Sequence, residues 1–203
     1  MSQWDNKFIK CDKYKIVGFL YAKAASTTIE NIFNNLNREP SGSANNIIET
    51  VPANYRTFVF VRNPYSRSFS SYCNEVCPQL EKRNIHVSFS DFTFRICKWK
   101  AEGVFRTFHS LVRRLPDNTE IYRFEEFPTK MEEILHSIGV KNYRIPHNNP
   151  TIQKFAGIDY KTQYSKLAKA IIGYEYKWDI TNLNYTFDSY GDLPTIKELK
   201  AAC

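Results

Sequence analysis

Apolar positions along this chain follow two periods, one fitting strands and the other helices. Residues 14–21, Tyr-Lys-Ile-Val-Gly-Phe-Leu-Tyr, form a short and nearly unbroken apolar run, the pattern of a buried strand. Residues 27–37 then place Ile29, Ile32, Phe33 and Leu36 at the i, i+3, i+4, i+7 spacing of an amphipathic helix, with Thr27 and Glu30 as a capping box at its start. A second strand is predicted at residues 57–62, Thr-Phe-Val-Phe-Val-Arg, closed by Asn63-Pro64 and followed by a helix over 65–76. Residues 88–100 read as a further helix capped by Ser88 with Asp91, and residues 120–124 as a third short strand. The period returns over 129–138, with Met131, Ile134, Leu135 and Ile138 inward, Thr129 and Glu132 as cap and Gly139 as stop. It returns again over 161–179, with Leu167, Ile171, Tyr174 and Trp178 on one face. Strands alternating with helices imply an α/β fold: a short central parallel sheet with helices on both sides, three layers in all. Ligands of such sheets bind beyond the C-terminal ends of the strands.

Composition narrows the class. At 203 residues, with 42% hydrophobic and 24% charged residues, the chain suits one globular domain over 1–203 and is not a disordered one. No apolar stretch approaches the roughly 20 residues that cross a bilayer, and the first residues carry no apolar signal core. A soluble, cytoplasmic protein without a membrane anchor is the expectation. The net charge of +7 favours an anionic ligand: nucleic acid, nucleotide, a sulfated or phosphorylated substrate, or a membrane surface. No basic run is longer than the two residues of Arg113-Arg114, which speaks against nucleic acid. Five cysteines (Cys11, Cys73, Cys77, Cys97 and Cys203), odd in number and without framework spacing, read as thiols, and no metal-ligand cluster is evident.

Two strand ends carry candidate chemistry. After the first, Lys23-Ala-Ala-Ser-Thr-Thr28 puts the small residues Ala24 and Ala25 and three hydroxyls at a helix N-terminus, where amides and the helix dipole favour an anion. Lys23 adds a full charge. This is a phosphate-loop pattern but not the Walker sequence, because the Lys precedes the small residues and the flanking glycines are missing. After the second strand, Arg62-Asn-Pro-Tyr-Ser-Arg67-Ser-Phe-Ser70 offers Arg62 and Arg67, whose guanidinium forks match phosphate geometry.

Together these stretches resemble the sulfotransferases that use 3′-phosphoadenosine 5′-phosphosulfate, especially their Golgi carbohydrate branch. Lys23–Thr28 is similar to the family's 5′-phosphosulfate loop, with Ala22 where a Pro is usual, and Arg62–Ser70 to its 3′-phosphate motif. Phe89-Ser-Asp-Phe92, Tyr122–Phe127, Ile145-Pro-His147-Asn148 and residues 164–179 resemble later family segments in order. The resemblance implies a P-loop-like fold and a compact, soluble member. It assigns Lys23, Ser26, Thr27 and Thr28 to the 5′-phosphosulfate and Arg62 with Ser70 to the 3′-phosphate. It also implies in-line sulfuryl transfer to a hydroxyl of a glycan or similar acceptor, releasing adenosine 3′,5′-bisphosphate. No bridging metal is expected, since a sulfuryl group bears less charge than a phosphoryl group.

The acceptor hydroxyl needs a base, for which Glu49 and His147 are the candidates, and Lys154 is a candidate to close over the nucleotide. Two alternatives stand beside this reading. One is a kinase-like phosphoryl transferase. The other is a non-catalytic module that binds nucleic acid through basic and aromatic side chains.

Overall fold

The computed structural model describes residues 7–36, 42–43, 51–96, 105–141, 143–145 and 155–203. In chain order the elements begin with β1 (Lys7–Cys11), β2 (Ile16–Leu20), α1 (Ser26–Asn35), β3 (Gly42–Ser43) and β4 (Arg56–Val61). Then come α2 (Pro64–Ser71), α3 (Cys77–Glu81), α4 (Phe89–Thr93), α5 (His109–Val112), β5 (Glu120–Arg123) and α6 (Phe127–Ser137). The chain ends with α7 (Lys166–Glu175), α8 (Lys177–Asn182) and α9 (Ile196–Ala201). The sheet order is β3-β1-β2-β4-β5, with β2, β4 and β5 parallel and β1 antiparallel to both β2 and β3. This is the α/β architecture expected from the alternation and the P-loop-like fold that the resemblance implies, with an antiparallel edge added to the parallel centre. The added strand β1 escaped the sequence reading because Lys7 and Lys10 interrupt its apolar run. Its clue is the polar turn at residues 12–15, which folds the chain back into β2.

The described chain forms two compact units: residues 1–62, 108–148 and 193–203, and residues 63–107 with 149–192. The first holds the whole sheet. On one face, Phe33 of α1 meets Phe58 of β4 at 6.1 Å between ring centroids, and Phe127 of α6 meets Phe60 at 4.9 Å. Gly18 of β2 makes room for this packing, since a Cβ there would lie 2.8 Å from Cζ of Phe58. Val17, Phe19, Val59 and Val61 on the other face are buried as well, and Tyr21 meets Phe108, just before α5, at 5.4 Å.

Helix starts in this unit depart from the expected caps. α1 starts at Ser26 with Ala25 as its N-cap, so Thr27 lies inside the first turn and makes no capping box with Glu30. α6 starts at Phe127, two residues before the expected Thr129, because Pro128 is pre-set for a first turn. Gly139, at φ 82, ends it as expected: its amide donates to His136 O and that of Val140 to Leu135 O, closing a Schellman motif.

In the second unit, Asn63 caps α2 by accepting from the Tyr65 amide at 3.0 Å, while its own amide group donates to Thr186 O at 2.8 Å. α2 runs through a π-helical turn at Tyr72–Val76 into α3. Pro78 accounts for the turn: it offers no N–H to the Asn74 carbonyl, and its ring crowds that position. The Ser88 cap forms, but α4 ends at Thr93 rather than running to 100; residues 97–100 lie outside the described ones.

The helix expected over 161–179 is three pieces: a 3-10 turn at Tyr160–Gln163, then α7 capped by Ser165, then α8. Its inward face is Ala168, Ile172, Tyr176 and Asp179, whereas Leu167 and Tyr174 are exposed at 55% and 80%. The two stripes are neighbours on the helix and both are largely apolar. Tertiary contact chooses between them, through the buried Tyr176 phenol that donates to Phe105 O at 2.7 Å.

Candidate functional site

β2 and β4 run parallel with Ile16 beside Arg56, so their C-terminal ends release residues 21–25 and Arg62 at one edge of the sheet. The loop turns at once, with the Ala24 amide donating to Tyr21 O at 3.1 Å. Lys23 (φ 63) and Ala25 (φ 62) are both left-handed, while Ala24 between them is not. Left-handed backbone costs a residue with a Cβ roughly 1–2 kcal/mol, so two such residues within three positions are held there by their surroundings. Alternation of this kind turns successive amides toward one side, making a concavity suited to an anion. Ala25 extends it: as an N-cap it has no acceptor for the amides of Ser26, Thr27 and Thr28, which precede the first intrahelical bond, Ile29 N to Ala25 O at 2.9 Å. A Ser or Asp at this position would occupy those amides. The residues present therefore suit an anionic group of a ligand.

Arg62 closes the arrangement. It is half-buried, its Nη1 donates to the Lys23 carbonyl at 3.0 Å, and its guanidinium carbon lies 4.2 Å from the ring centroid of Phe124. The two motifs read at separate strand ends are thus in direct contact. Phe124, the first residue after β5, was not picked out from the sequence as part of the site. The signal for it lies in the strand register, which sequence alone does not disclose.

Of the remaining candidates, two belong to the second unit and three lie outside the described residues. Ser70 is half-buried on α2 of the second unit, where its carbonyl accepts from Asn74 Nδ2 at 2.8 Å. Arg67, expected to grip a phosphate with Arg62, is only 1% exposed, with its guanidinium carbon 5.1 Å from the Tyr176 ring centroid. Glu49, His147 and Lys154 lie outside the described residues.

At the opposite end of the strands, Arg56 Nη2 meets Glu120 at 2.7 Å and Tyr122 Oη at 3.1 Å, and Tyr122 donates to the same carboxylate. Burial, and then the bond to Glu120, push the Tyr122 phenol up to about 12. This cluster joins strand starts and belongs to the frame of the sheet. Cys11, Cys73 and Cys77 are buried, Cys203 is half-buried, and none of the four is in a disulfide. Among the described residues, no three or more His, Cys, Asp or Glu side chains gather as for a metal ion, and no helix is long and apolar enough to cross a membrane.

Residues 6–185 match a family model described as Sulfotransferase family. Neither the curated proteins nor the solved structures contain a match to this chain.

Proposed function

The chain belongs to the sulfotransferase family, and from that premise we propose that it moves a sulfuryl group from 3′-phosphoadenosine 5′-phosphosulfate to a hydroxyl of a carbohydrate or similar acceptor. One observation carries this reading: a left-handed, uncapped anion loop bearing Lys23, tied through its carbonyl to Arg62. When bound, the donor supplies the activated sulfuryl group and a good leaving group. The amides of Ser26, Thr27 and Thr28 hold its 5′ end, and the family motif gives Arg62 and Ser70 to its 3′-phosphate. The Lys23 ammonium neutralises charge where it grows on the leaving oxygen, an interaction that strengthens toward the transition state. A base takes the acceptor proton; Glu49 is the first candidate and His147 the second. Lys154 is proposed to close over the nucleotide.

Nucleotide discrimination tests the donor. Adenosine 3′,5′-bisphosphate at a hundredfold excess over its Kd stabilises the fold by about 2.7 kcal/mol, which for a chain of this length raises Tm by roughly 5–10 °C. AMP, lacking the 3′-phosphate, shifts it far less. Equal shifts from the two, or no shift, overturn the donor assignment.

A further inference from the structure

Two contacts made by Arg62 join the Lys23 loop to Phe124, a residue that neither sequence motif contains. β4 ends at Val61, paired with Arg123 at the end of β5, so Arg62 and Phe124 are the residues that follow two neighbouring parallel strands. There the guanidinium lies over the Phe124 ring at 4.2 Å and donates to the Lys23 carbonyl at 3.0 Å. Lys23 is one of the two left-handed residues of the loop, and its carbonyl is the point at which the chain is held.

We propose that Phe124 is a positioning residue: its ring orients the Arg62 guanidinium, which in turn fixes the Lys23 carbonyl and keeps the loop in its left-handed form. The parts suit the task. A planar cation stacks on an aromatic face and still directs donors outward from its edge, so one side chain serves ring and carbonyl together. Phe124 also stacks on Phe127 at 6.4 Å, which anchors the ring to α6. The strut itself follows from geometry, and its consequence for turnover rests on the proposed sulfuryl transfer. Arg62 then acts twice, on the loop and on the ligand.

Native-state hydrogen exchange reads the loop without any ligand. The amides of Ala24 and Ile29 are bonded to Tyr21 O and Ala25 O, and both bonds persist only while the loop holds its shape. In Phe124→Leu these two amides exchange roughly three- to thirtyfold faster, the span that a half-buried cation–π contact supports. The amides of β1 keep their rates. Phe124→Trp, which retains an aromatic face, restores the slow exchange. In turnover, Phe124→Leu lowers kcat by a similar factor with a smaller change in KM for the donor. Unchanged exchange at Ala24 and Ile29 in a folded Phe124→Leu protein overturns the proposal, as does equal acceleration by Leu and Trp. Should the Leu variant not fold, Arg62→Lys is read the same way, because an ammonium has no planar face to stack. Faster exchange in a chain that binds no adenosine 3′,5′-bisphosphate supports the strut and counts against the donor assignment, so the two readings fail separately.

Discussion

In the proposed reaction Lys23 and Arg62 are adjacent but carry separable tasks. In Lys23→Ala the loop amides remain, so nucleotide affinity changes little while kcat falls by roughly 10²–10³, the loss expected for one donor aimed at developing charge. Steady-state kinetics beside calorimetric binding of adenosine 3′,5′-bisphosphate checks the split, and normal turnover would reduce the loop to an ordinary helix start. Arg62→Ala loses nucleotide affinity by about 2–4 kcal/mol, as for a charged contact left unmade, and lowers kcat as well because the Lys23 carbonyl is released. The residue types at these positions were legible, because Lys, Ala, Ser and Thr before an amphipathic stripe read as an anion loop wherever they stand. Their backbone angles were not. Positive φ at Lys23 and Ala25 opposes local preference and is imposed by contacts such as the one from Arg62, thirty-nine residues away.

Elements form here where local pattern and tertiary demand agree, and shift where they differ. Gly18 lies in a strand that would favour a larger residue, but the Phe58 ring occupies the space. Gly18→Ala overpacks the joint of β2, β4 and α1, costing about 1–3 kcal/mol and lowering Tm by roughly 2–10 °C in a thermal melt. The Arg56–Glu120–Tyr122 cluster sets a dependence on alkali. The Tyr122 phenol, raised from an ordinary value of 10.0 to about 12, favours the folded chain in its neutral form. Its stabilisation is complete below pH 10 and is lost as the pH rises toward about 12. Tm measured from pH 9 to 12 therefore falls less steeply in Tyr122→Phe than in the parent chain. The strands β2 and β4 were predicted to within two residues because buried parallel strands are continuous apolar runs. α7 was assigned the neighbouring stripe, because Leu167 and Tyr174 are as apolar as Ile172 and Tyr176 and no local rule separates them.

At the scale of the molecule, an excess of seven positive charges favours capture of the proposed anionic nucleotide and loses that advantage in salt. The association rate of adenosine 3′,5′-bisphosphate, followed by stopped flow, accordingly falls as NaCl rises from 50 to about 500 mM, with a smaller change in dissociation. A rate independent of salt would count against steering by net charge. Sequence by itself determined the α/β class, the parallel strands, the place of the Lys23–Thr28 loop at the end of β2 and the family, since each rests on short-range periodicity or on residues adjacent along the chain. Tertiary structure alone decided the β1 edge, the stripe that α7 buries, the burial of Arg67 and the contact between Phe124 and Arg62. These depend on pairing and burial between residues far apart in the chain. Such contacts are settled by which arrangement excludes water and satisfies every buried donor, and no local window of sequence contains that comparison.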